Sequence, residues 1–246
     1  MKIIACYANK GGVGKPAAAA NLSFALATSA KRTLLCDLDA QAAASFNFRV
    51  KLSKKLTEQS FFKDVEKFTK AIKASDYDNL DILAANMSFR EFDSFPSRMR
   101  SPRSRLKQAL ATVKANYDLI ELDCPPTMSA LAENVFRAAD VVVVLIIPTT
   151  LSQRAFQHLV DFFKENNLST KKLHGFFSMV QRTKSLHDET MEAMRCKYPA
   201  TSCARRSPLH PKSNEWACTG HRSWQPHPTA HPAKPIGPCA RSSPYA

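Results

Sequence analysis

No long hydrophobic run occurs in this chain. The longest purely aliphatic stretch, Val141 to Ile147, is far too short to cross a bilayer. The opening residues, Met1-Lys2-Ile3-Ile4-Ala5-Cys6-Tyr7, carry no signal-peptide cleavage pattern and run straight into a glycine loop. A cytoplasmic protein with no membrane partner is therefore expected. Metal-ligand spacing is missing around Cys6, Cys36 and Cys124, which fall in apolar stretches or beside the candidate site. In a reducing compartment they read as small core residues. Acidic residues are in short supply, 21 against 35 Lys and Arg, which leaves a formal charge of +14. A basic excess favours polyanions such as DNA, although excess charge also serves solubility. No internal repeat is present.

Apolar residues make up 44% of the 246, enough for one α/β domain with a buried core. Short apolar runs alternate with helical patterns through residue 195. Strands are predicted at Lys2–Ala8, Arg32–Asp37, Leu80–Ala84, Tyr117–Asp123, Asp140–Ile147 and Leu173–Val180. Helices are predicted at Lys15–Ser29, Thr57–Ala74, Arg103–Asn116, Ser129–Ala138, Ser152–Asn166 and Leu186–Lys197. Such alternation predicts a mostly parallel sheet flanked by helices on both faces. The strand runs are continuous rather than alternating, as suits strands buried on both sides.

Beyond residue 195 the composition changes. Residues 196–246 hold 9 of the 15 prolines, 4 of the 7 histidines and one acid. Pro226, Pro228, Pro232, Pro235 and Pro238 exclude a regular helix or central strand. The segment is expected to be an irregular or disordered tail. Cys218-x2-His221 and His227-x3-His231 have ligand-like spacings, but no hairpin or helix is apparent to fix them, so chance composition is the simpler reading.

Three motifs carry chemistry. Lys10-Gly-Gly-Val-Gly-Lys15 lies between a buried-type strand and a helix. Its glycines let backbone N–H groups converge on phosphate oxygens at a helix N-terminus, and Lys15 is placed to reach terminal phosphates. An ordinary glycine turn is the alternative. The second motif, Leu34-Leu35-Cys36-Asp37-Leu38-Asp39-Ala40-Gln41, sets two carboxylates at a strand end, suited to Mg²⁺ and water positioning or else to capping a turn. The third, Tyr117-Asp-Leu-Ile-Glu-Leu-Asp123-Cys-Pro-Pro126, is an apolar strand ending in aspartate.

In this order the three motifs resemble the ParA/MinD family of P-loop ATPases, over residues 1 to about 195. Lys10-Gly-Gly-Val-Gly-Lys15 is similar to that family's deviant Walker A loop, Asp37-Leu-Asp39-Ala-Gln41 to its D-x-D-P-Q segment, and Asp123-Cys-Pro-Pro126 to its Walker B strand end. Ile147 to Arg154, Phe177 to His187 and Asn86 to Asp93 also resemble ParA-type segments. The resemblance implies a three-layer P-loop fold and an ATP site made of Gly11, Gly12, Val13, Gly14, Lys15, Pro16 and Ala17. It implies that Lys10 reaches the phosphates of a partner in a homodimer, that Asp39 orients the attacking water with support from Asp37, and that Asp39 and Asp123 serve Mg²⁺. Partition of plasmids or chromosomes, nonspecific DNA binding and a ParB-like stimulating partner follow from the same likeness. The densest basic cluster, Arg98, Arg100, Arg103 and Arg105, is the candidate DNA contact, or otherwise a solvated loop. A membrane-bound MinD-type role needs a C-terminal amphipathic helix, and none is apparent.

The chain departs from the family in three places. Where the family loop ends in K-[ST]-[ST], this one has Lys15-Pro16-Ala17. Pro16 brings neither the metal-binding hydroxyl nor a backbone N–H, and it biases Lys15 away from helical geometry. Proline also suits a first helical turn, so the fold should tolerate it. Ala40 and Ala42 replace the usual Pro and Gly of the second motif. An ATPase impaired at Pro16 and by its tail is one reading; a catalytically inactive nucleotide-binding or interaction module is the other. The family's last strand and helix are replaced here by the proline-rich tract. The codons from about residue 199 permit family-like text in a shifted frame. The coding DNA should spell that text, and sequencing it checks the idea; no such text in either other frame refutes it.

Overall fold

The computed structural model describes residues 1–39, 41–51, 65–84, 105–181, 183–199 and 202–208, with backbone alone at 65, 105 and 202–208. Its core strands are the continuous apolar runs. They are β1 (Lys2–Tyr7), β2 (Thr33–Asp37), β4 (Leu80–Ala84), β5 (Leu119–Asp123), β6 (Val141–Ile146) and β7 (Leu173–Val180). Among the described residues the sheet has eight strands, in the order β3-β4-β2-β5-β1-β6-β7-β8, where β3 is Lys73–Ala74 and β8 is Ser202–Pro208. Every pairing is parallel except that of β3 with β4. The expected α/β class holds, a mostly parallel sheet between helices.

Side chains of successive strand residues leave opposite faces, and they enter two cores. Ile3, Ala5 and Tyr7 of β1 join Ile120, Leu122, Phe136, Phe156 and Phe163. Cys6 and Ala8 join Leu35, Ala19, Ala20, Ala27 and Phe48. The second core lies under α1 (Lys15–Thr28) and α2 (Ala43–Asn47). The first includes residues of α3 (Val65–Ala71), α4 (Arg105–Ala111), α5 (Ala130–Ala138), α6 (Thr150–Glu165) and α7 (Ser185–Lys197). Local chemistry sets several ends. The Ser129 hydroxyl accepts from Ala132 N–H at 3.3 Å and caps α5; Thr149 accepts from Ser152 N–H at 3.2 Å and caps α6. Burying the large side chains of this core stabilises by roughly 1.5–3 kcal/mol each.

Some expectations need correction. Thr57–Ala74 does not run on as one helix: α3 ends at Ala71, and Lys73–Ala74 forms the short antiparallel edge strand. Helical spacing in the sequence carries no signal of that pairing. The sheet also does not stop near residue 195. Ser202–Pro208 adds β8 beside β7 with register shifts, so part of the segment expected to be irregular belongs to the fold. Pro208, at the strand's last position, does not interrupt an edge ladder. Residues 209–246, the segment Asn86–Asp93, and Arg98, Arg100 and Arg103 lie outside the described residues, as does the side chain of Arg105.

Ala42, the N-cap of α2, takes a left-handed conformation with φ 50° and ψ 37°. Its N–H donates to the Asp39 carbonyl at 2.8 Å, so the turn after β2 fixes that conformation. A Cβ there costs roughly 1–2 kcal/mol, against roughly 0.5–1 kcal/mol for the greater flexibility of glycine when unfolded. Ala42→Gly should therefore stabilise the protein by about 0.5–1 kcal/mol in urea unfolding, and a loss of stability would contradict the strain.

Candidate functional site

The glycine loop leaves β1 at the carboxyl end of the sheet and delivers the chain into α1. Gly12 (φ 74°) and Gly14 (φ 82°) occupy left-handed backbone that a Cβ would strain. Gly14 is the N-cap of α1, and its carbonyl accepts from Ala18 N–H at 2.9 Å. Lys15 is the first helical residue and Pro16 the second. The bias that proline imposes on its predecessor does not displace the helix start, and its fixed φ fits the first turn. Pro16 still supplies no hydroxyl and no N–H to this loop.

Three sequence-predicted residues meet here. The Lys15 ammonium is buried; it donates to Asp123 Oδ1 at 2.5 Å and lies 3.6 Å from Asp39 Oδ2. Asp123 ends β5 and Asp39 follows β2, and these two strands are hydrogen-bonded neighbours with Asp37 opposite Asp123. Asp37 is fully buried and acts on the loop rather than on the cleft. Its Oδ2 accepts from the Ser45 N–H and hydroxyl, each at 2.8 Å, and its Oδ1 accepts from Asp39 N–H at 3.2 Å. Asp39 Oδ1 in turn accepts from Gln41 N–H at 3.0 Å. Lys10 stands apart, lining a small cleft with Asn9, Val13, Ser152 and Phe156. Among the described residues no ion pair links it to these aspartates.

Charge at the site is unbalanced. Burial, with Asp37 and Asp39 nearby, pushes the Asp123 carboxyl up to about 7, while the Lys15 ammonium opposes that rise. Burial alone lowers Lys15, but the charge and hydrogen bond of Asp123 outweigh it and the net shift is upward. Asp37 is raised by burial against the hydrogen bonds from Ser45. One cation thus faces three carboxylates. Asp123 Oδ2 is buried without a hydrogen-bond partner. An orphaned carboxylate oxygen beside Asp39 fits a divalent cation or a water bound to one. Pro16 contributes nothing to such a site.

One buried carboxyl near the site was not singled out from the sequence. Glu121 sits inside the apolar β5 run, fully buried on the α1 side, and Ser23 of α1 donates its hydroxyl to it. Only the charge within a hydrophobic strand signalled it. Burial raises Glu121 to about 8, with the Asp123 charge adding to the rise and hydrogen bonds from Ser23 and Cys6 opposing it.

A family model described as an AAA domain matches residues 1–174. Among curated relatives, the sporulation initiation inhibitor protein Soj of Bacillus subtilis (strain 168) is 36% identical over 178 residues, covering 70% of this chain and 68% of its own. An uncharacterized protein of Pseudomonas putida is 34% identical over 163 residues, covering 65% of this chain, which spans 60% of that relative's length. Two solved structures share the fold. The cobyrinic acid a,c-diamide synthase of Mycobacterium smegmatis with bound ADP and magnesium has a TM-score of 0.76 at 22% identity, covering 88% of this chain and 91% of its own. A plasmid partition protein of Borrelia burgdorferi B31 bound to AMPPNP has a TM-score of 0.74 at 19% identity, covering 89% of each.

Between the usual glutamate value and about 8, the folded chain keeps a proton on Glu121 that the unfolded chain releases. Stability should therefore fall as pH rises through that interval, by up to about 1.4 kcal/mol per pH unit. Glu121→Gln should flatten this slope and be the more stable form at pH 8. Urea unfolding at pH 5 and pH 8 checks it; an unchanged slope would refute the buried proton.

Proposed function

The chain belongs to the AAA-domain family of ParA/MinD-type P-loop ATPases, and on that footing we propose that it binds Mg²⁺-ATP in the Lys10–Ala17 loop, dimerises around the nucleotide and binds DNA without sequence preference in plasmid or chromosome partition. The observation that carries this reading is the meeting of Lys15, Asp39 and Asp123 beside the glycine loop, at the carboxyl ends of three adjacent strands. That is where parallel α/β sheets place ligands.

In this mechanism a triphosphate draws Lys15 away from Asp123 and onto phosphate oxygens, while loop N–H groups and the α1 N-terminus take the remaining charge. Asp39, its loop held by Asp37, orients the attacking water. Lys10, free of the aspartates, reaches the phosphates of a second copy. Magnesium, when bound through Asp39 and Asp123, supplies charge neutralisation across the phosphates. A ParB-like partner would stimulate turnover. Binding to DNA through lysine and arginine contacts releases counterions, so affinity should fall steeply with added salt; gel-shift or anisotropy titrations on unrelated duplexes check this, and affinity indifferent to ionic strength would exclude it.

Pro16 favours a second reading, a nucleotide-binding module without turnover. Loss of one preorganised electrostatic contact costs on the order of 10²–10³ in rate. Steady-state hydrolysis with Mg²⁺ titrated should be weak in the unaltered chain. Pro16→Thr should recover part of the metal-dependent ATP affinity, with Lys15→Ala as the blank. Robust hydrolysis that disappears in the blank would show an intact ATPase. ATP affinity no better than the blank would remove the nucleotide reading.

A further inference from the structure

The phosphate loop is also held by the end of β7, which lies outside the three motifs that carry its chemistry and inside the ParA-like segment Phe177 to His187. At the far end of β7, the Ser178 hydroxyl donates to the Val13 carbonyl at 3.1 Å, across 165 residues of sequence. Ser178 and Val13 are both buried. The next residue, Met179, takes a left-handed conformation with φ 53°, uncommon for a residue with a long side chain. Its methyl lies 3.6 Å from where a Cβ on Gly14 would stand. The end of β7 thus holds the Val13 carbonyl by a hydrogen bond, with the Met179 methyl on the side of Gly14 where a Cβ would stand, and Met179 carries backbone strain there.

The direction of that grip matters. The Val13–Gly14 peptide is trans, as are the described peptide bonds generally. In a trans unit the C=O and N–H point opposite ways. The strand order places β7 on one side of β1, with β6 between, and places β5 and β2 on the other. A carbonyl drawn toward β7 leaves the Gly14 N–H facing the side that carries Asp123 and Asp39. Among the described residues that N–H has no partner.

We infer that Ser178 is a positioning residue for phosphate: by holding the Val13 carbonyl on the β7 side, it aims the Gly14 N–H at an oxygen of a bound di- or triphosphate. This rests on the nucleotide reading above. Pro16 gives the role added weight, because a loop that has lost the N–H of residue 16 depends more on those that remain. The ligand recognised is the phosphate chain itself, not the base or sugar.

Calorimetric titration of the full chain with Mg²⁺-ATP and separately with pyrophosphate tests it, using Ser178→Ala, Ser178→Thr and Lys15→Ala with melting curves for each. The expected result is a loss of about three- to tenfold in affinity for both ligands in Ser178→Ala, the size of one neutral hydrogen bond, with recovery in Ser178→Thr. Chemical shift of the Gly14 amide on adding pyrophosphate should be reduced in parallel. If Ser178→Ala does not fold, Ser178→Cys keeps a group of similar size with a weak donor and takes its place. Unchanged affinity in Ser178→Ala, while Lys15→Ala loses it, overturns the positioning role alone. Equal losses in Ser178→Ala and Ser178→Thr that follow their melting temperatures also overturn it, since a structural role would behave so. An unaltered chain that binds no better than Lys15→Ala overturns the nucleotide reading and this inference with it.

Discussion

The buried contact between Lys15 and Asp123 governs the rest of the site. It joins the start of α1 to the end of β5 across 108 residues of sequence, where almost no solvent reaches either group. Two charges placed this deep lose much of their hydration, and removing one partner from such a pair costs roughly 3–5 kcal/mol because the other is left uncompensated. The helix can come close enough because its inward positions, Ala19, Ala20 and Ala27, are small. Two turns further along, Ser23 bonds to Glu121, so α1 is pinned to β5 at two levels. The loop that α1 terminates is therefore set by the same contacts that hold helix to sheet.

That arrangement leaves the site electrostatically provisional. Lys15 is engaged with carboxylates rather than exposed to solvent, and a single ammonium stands against Asp37, Asp39 and Asp123. Asp37 spends its oxygens on Ser45 and Asp39 backbone, which leaves Asp39 and the free oxygen of Asp123 as the groups able to meet added positive charge. Binding a polyphosphate with its cation would exchange partners rather than create charge in a dry interior. Pro16 separates folding from chemistry at this point. It fits the first turn of α1, and it removes two polar groups from the loop's phosphate face.

Much of this was legible along the chain. Continuous apolar runs located the central strands because parallel strands are buried on both faces. The glycine loop between strand and helix, and the aspartates ending two strands, located the site residues, since local backbone chemistry restricts which sequences can stand there. Even the substitution at residue 42 marked a real feature. A position where glycine would be expected carries alanine in left-handed backbone.

What the sequence could not contain was the choice of partner. The sequence marks α1 as a helix but not that its Ser23 meets Glu121. A serine in a strand gives no sign that it will hold the carbonyl of Val13. The strand order, the antiparallel edge at β3 and the addition of β8 beside β7 were likewise decided only in three dimensions. The sequence by itself determined the parallel α/β core, the phosphate loop and its family. The tertiary structure alone decided which carboxylates face Lys15 and what steadies the loop, because those contacts join residues far apart in sequence, and their distances depend on how whole elements pack.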